Sequence, residues 1–133
     1  MQLVETIASG DRILAYIVRN ELAPSKTTFV TPDALSFQVG FVVYPANSEI
    51  ARHVHKPIKR ELNVTSEALI VKKGSCEVDF FTDEKELVTT RTLQTGDVLL
   101  LVGGGHGFRV KEDTILLEIK QGPYTGLDEK EHF

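Results

Sequence analysis

Two of the chain's four histidines stand either side of one valine, in "EIARHVHK" (49–56). Side chains alternate along an extended strand, so His53 and His55 project from one face. Imidazole is the commonest metal-binding side chain, and this spacing lets two rings converge on one ion. A third histidine, His106, follows "LLLVGGG", where three glycines let the backbone turn tightly and approach whatever lies at the strand end. Glu67 opens the apolar run "EALIVKK" that leads to Gly74. Three nitrogens and one carboxylate oxygen make a competent first-row transition-metal site.

Such residues must be held by strands. Short apolar runs rich in Val, Ile, Leu, Phe and Thr recur along the chain, separated by turn residues. The expected strands are 12–18, 27–30, 35–44, 49–55, 67–73, 76–81, 86–93, 97–102, 107–110 and 114–120. Their breakers include "PAN" at 45–47, "KG" at 73–74, "QTG" at 94–96 and "GGG" at 103–105. About ten short strands at this spacing predict an all-β sandwich or barrel with little helix. A short helix at the N-terminus, or a helical turn near 60–66, fits the residues left over.

Parity then assigns faces. Ala51, His53 and His55 share one; Glu67, Leu69 and Val71 share another. Cys76, Val78 and Phe80 oppose Glu77, Asp79 and Phe81. "DVLLLV" is apolar on both faces, as expected of a strand between two packed layers. In 114–120, Ile115, Leu117 and Ile119 alternate with Leu116, Glu118 and Lys120, so two charges share a face that lines a polar cavity or meets water.

"HVH" (53–55), with Glu67 six residues before Gly74, resembles the first motif of the cupin superfamily: His-x-His, a gap, Glu, six residues, Gly. "GDVLLLVGGGHGF" (96–108) resembles the second: Gly-Asp, an apolar strand, a glycine turn, then His and an aromatic. The resemblance covers roughly residues 49–110. It implies a cupin-type jelly-roll barrel (double-stranded β-helix) formed by 1–133 as a single domain. It also implies His53, His55, Glu67 and His106 as ligands of one divalent transition metal ion, with Fe, Mn, Ni, Co and Zn all open. Eleven residues, "KPIKRELNVTS" (56–66), separate His55 from Glu67, where the family usually has three or four. The alternative carboxylate, Glu61, breaks the spacing to Gly74. The tail "EIKQGPYTGLDEKEHF" and the His106 turn resemble small uncharacterised cupins linked to surface-polysaccharide and sugar-nucleotide pathways.

The long loop holds Lys56, Lys59 and Arg60 against a single Glu61, a local positive patch that would attract an anionic substrate. Tyr124, in the turn-forming "QGPYTG", is placed to fold back across a sheet edge or barrel mouth. These four are the candidate substrate-binding residues. No catalytic residue is identified; Tyr44, Tyr124, Lys120 and Glu118 are candidate general bases.

A net charge of −4 argues against a general nucleic-acid binder. No apolar run approaches the ~20 residues of a membrane span, and no signal-like start is present, so a cytoplasmic location is expected. The lone cysteine, Cys76, allows no internal disulfide and on an apolar face reads as a buried inert thiol. Asp97 reads as a turn residue accepting backbone hydrogen bonds; His132 reads as solvated. The resulting expectation is a metal-binding cupin that acts as an enzyme on a small polar or anionic molecule, such as a sugar derivative. Isomerase, epimerase, lyase and oxygenase chemistries all remain open. The alternative is a non-catalytic metabolite- or metal-sensing module. Resemblance further implies a homodimer.

Overall fold

The computed structural model describes residues 2–133, apart from the side chains of Leu127 and Asp128. Ten strands follow in chain order: β1 (Val4–Ser9), β2 (Arg12–Val18), β3 (Thr28–Phe29), β4 (Gly40–Phe41), β5 (Glu67–Lys73), β6 (Ser75–Phe81), β7 (Leu87–Gln94), β8 (Val98–Leu101), β9 (Gly105–Arg109) and β10 (Ile115–Lys120). They form three antiparallel sheets, not closed into a barrel: β1-β2-β8-β5-β10, β7-β6-β9 and the ribbon β3-β4. Among the described residues the single helical element is a 3-10 turn, Gly126–Glu129, and no helix is long and apolar enough to cross a membrane. The chain divides into two compact units, Met1–Ala23 with Val64–Phe133, and Pro24–Asn63.

In the larger unit, alternation sets the layers. Leu14, Ile17, Leu69, Val71, Leu99 and Leu101 of the five-stranded sheet share one core with Cys76, Val78, Phe80 and Leu93 of the three-stranded sheet. Leu100 faces the other way and is also buried, so the central strand β8 is covered on both sides, as its apolar run requires. Two ion pairs tie the layers and turns. The Arg91 guanidinium on β7 donates to both carboxylate oxygens of Glu5 on β1, at 2.8–3.0 Å. Asp97 behaves as a turn residue should: its carboxylate accepts the backbone N–H groups of Asn20 and Gln94, each at 2.8 Å, and the Arg19 guanidinium at 3.1 Å.

Sequence pattern and structure part company in four places. The N-terminus is strand β1 rather than helix. Gly10, at φ 58°, supplies the left-handed residue of a two-residue turn that pairs β1 with β2. No helical turn forms at 60–66. In the smaller unit the expected strand 35–44 shrinks to Gly40–Phe41. The Gln38 side chain takes the groups a longer ladder would need: its amide donates to the carbonyls of Pro32 and Leu35, and its oxygen accepts from the Thr31 hydroxyl. The expected strand 49–55 is absent as well. Residues 44–65 are exposed throughout, and an extended segment without a neighbour gains no ladder hydrogen bonds.

Candidate functional site

The chemistry-bearing residues of the larger unit sit on the inner faces of its two sheets. Glu67, at the start of β5, stands opposite Lys120 on β10, and Glu118 stands opposite Leu69. Leu69 belongs to the core and Leu116 packs against it. Side chains two apart share a face, so Glu67, Glu118 and Lys120 all lie on the inward parity. On the three-stranded sheet His106 pairs with Phe80, which is wholly buried, and so faces inward too. The His106 and Phe108 ring centroids are 5.8 Å apart.

The glycine turn before His106 is a steric requirement. Gly104 adopts φ 64°, and a Cβ there would run into the Phe81 carbonyl oxygen and the Leu14 side chain. Only glycine brings the backbone this close to β6.

Burial and charge act on these groups together. The Glu67 carboxyl is pushed up to about 7, first by burial, then by its hydrogen bond to Glu118 and by that residue's charge; Lys120 and Lys130 oppose the rise. The Glu118 carboxyl is held below the usual carboxylate range because it accepts that hydrogen bond, with Lys120 and Lys130 adding to the effect. Glu67 is thus the protonated donor and Glu118 the ionised acceptor of one pair. His106 is pushed down by burial and by Lys130, with Glu118 pulling the other way, so its ring is neutral at pH 7. Lys120 is itself paired with Glu129 at 3.1 Å, and its ammonium lies 5.4 Å from the Tyr124 ring centre. Tyr124 is 78% exposed.

His53, His55, Lys56, Lys59 and Arg60 all belong to the smaller unit, as does Glu61, and all are exposed. The His53 and His55 ring centroids are 5.3 Å apart. His53 Nδ1 lies 2.8 Å from the Ala51 carbonyl oxygen. A carbonyl only accepts, so in the neutral ring this contact puts the proton on Nδ1 and leaves the lone pair on Nε2. Among the described residues, no three His, Cys, Asp or Glu side chains are grouped closely enough to hold a metal ion. Within the larger unit, Glu67 and His106 lie on the inward faces of the two sheets.

Glu118 and Lys120 entered the sequence reading only as candidate bases, and Glu129 and Lys130 not at all. Parity had placed Glu118 and Lys120 on one face. The more apolar face, Ile115, Leu117 and Ile119, is the one that turns out to be exposed, so hydrophobicity alone points the wrong way here. Comparison with known proteins gives no match to any family model, curated protein or solved structure.

Proposed function

We propose that the chain is a metal-binding cupin, a jelly-roll protein acting as an enzyme on a small polar or anionic molecule such as a sugar derivative. One observation carries this reading: Glu67 and His106, singled out by motif spacing, both turn inward from facing sheets, beside a second carboxylate, Glu118. The donor chemistry fits a divalent ion. His106 is neutral, which is the form that ligates. A half-buried carboxyl, Glu67, brought against an exposed one, Glu118, holds its proton, and a cation relieves the same repulsion. His53, with Nδ1 committed to a carbonyl, offers Nε2.

His53, His55, Glu67 and His106 would hold the ion, and a bound divalent ion supplies Lewis-acid polarisation of a carbonyl or hydroxyl, or activation of water. The other groups are this chain's own. Lys120 and Lys130 set a positive potential that favours an anionic ligand. Glu118 is ionised and available to accept a proton. Phe108, packed against the core, gives the inner wall an apolar surface. A single buried cysteine suits a reducing compartment, and we place the protein in the cytoplasm.

Elemental analysis of protein purified without chelators, with reconstitution by Fe, Mn, Ni, Co and Zn, tests the reading. About one ion per chain is expected, lost in His53→Ala and in His106→Ala. Wild-type protein that takes up no metal on reconstitution refutes it.

A further inference from the structure

The segment that follows β10 passes from one sheet of the larger unit to the other. Its root is held at the five-stranded sheet, where Glu129 accepts from the Lys120 ammonium at 3.1 Å and from the Thr125 hydroxyl at 2.9 Å. Lys120 stands opposite Glu67 in the β5–β10 register. Its far end lies on the three-stranded sheet. The Phe133 ring meets the Phe81 ring edge to face, with centroids 5.0 Å apart, and a Cβ on Gly105 would strike the Phe133 ring. Gly105 pairs with Phe81 and immediately precedes His106. Between these two ends, the charge of Lys130 is felt by Glu67, Glu118 and His106. Residues 121–133 thus cross the end of the sandwich at which those three groups sit.

The segment is held unevenly. At the root, the Glu129 side chain is 14% exposed. At the far end, Glu131 pairs with Lys85 but is 73% exposed, and Phe133 is 62% exposed. Exposed ion pairs contribute little and a single ring contact not much more, so 130–133 can lift while the root stays in place. Lys85 adds a second observation. It sits in the β6–β7 turn at φ 70°, donating its backbone N–H to the Thr82 carbonyl. A side chain in this left-handed conformation is strained where glycine would not be. The strained position carries an ammonium that bonds Glu131 and lies 5.9 Å from the centre of the Phe133 ring.

We infer that residues 130–133 form a lid, hinged after the 3-10 turn Gly126–Glu129 and latched by Phe133 on Phe81 and by Lys85 with Glu131, which controls access to His106 and Glu67. What the lid admits rests on the function proposed above; that it opens and closes does not. Closed, it holds the Lys130 charge near the groups that an anionic ligand would meet.

The test uses metal-free protein and reads His106 directly. Diethyl pyrocarbonate acylates neutral imidazoles that solvent reaches, and the tryptic peptide 92–109 has His106 as its sole histidine. Phe133→Ala and Lys85→Glu are each expected to speed its modification about three- to tenfold, the size of one ring contact or one ion pair, with the denaturation midpoint unchanged. The charge swap, Lys85→Glu with Glu131→Lys, is expected to return the rate toward wild type. Lys85→Gly relieves the strained turn, so the midpoint should hold or rise while His106 becomes more reactive. A His106 rate that neither Phe133→Ala nor Lys85→Glu changes overturns the lid, and a swap that stays fast overturns the ion-pair latch. A rise seen only with a lowered midpoint also overturns it, because loosening of the sandwich then accounts for the reactivity. None of these outcomes bears on whether metal binds, and protein that takes up no metal leaves the lid standing.

Discussion

Glu67 makes the metal-free protein's stability depend on pH in a direction that can be worked out. Its folded value of about 7 lies above its ordinary 4.5, so the folded state binds this proton more tightly than the unfolded state. The stabilisation is complete below about 4.5 and is lost as pH rises through about 7. Glu118 acts with opposite sign and below this window, because its value is lowered: its contribution is lost as pH falls. Denaturant melts of metal-free protein should therefore show stability falling by about 1 kcal/mol across the Glu67 window, water at this half-buried site having screened the larger nominal shift. Glu67→Gln, which still donates to Glu118, should flatten that fall; a variant that keeps the wild-type slope would show that the pair does not set it. Asp97 offers a second test. Its buried carboxylate serves two backbone N–H groups and Arg19, so Asp97→Ala orphans three donors at once. A loss of about 3 kcal/mol is expected in the same melts.

At the scale of elements, the β8–β9 turn is the part with least tolerance. Gly104→Ala must both adopt a left-handed φ and displace the Phe81 carbonyl, and a loss of about 2–3 kcal/mol is expected by thermal or denaturant melting. Gly107, by contrast, has open space where a Cβ would go, so Gly107→Ala is the matched control. The strands of the sandwich were legible in the sequence because alternation and turn residues coincide there, as in 67–73 and 75–81. Three things were not. β1 has few apolar residues, and its pairing with β2 comes from the Gly10 turn. The 35–44 run is shortened by Gln38, whose side chain turns back to bond the carbonyls of Pro32 and Leu35, which strand alternation does not announce. In β10 the apolar parity is exposed, while of the other parity Leu116 and Lys120 are half-buried and Glu118 is exposed, so this end of the sheet carries a polar cluster, not core. Of the candidate site, motif spacing singled out Glu67 and His106, which both face inward, while Glu118's partnership with Glu67 depends on the β5–β10 register.

For the whole molecule, residues 44–65 are the exposed, strandless part, and they contain Arg52, Lys59 and Arg60 as trypsin sites, with Lys56 shielded by Pro57. Early cleavage is expected there, before any cut in the sandwich. The sandwich also carries its own reporter. Cys76 is 3% exposed in the core, and burial raises its thiol above the usual range, so the reactive thiolate is scarce in the folded state. It is the chain's sole sulfhydryl. A thiol reagent added to native protein will therefore modify it only when the two sheets part, and the labelling rate becomes a clock for global opening that needs no engineered probe.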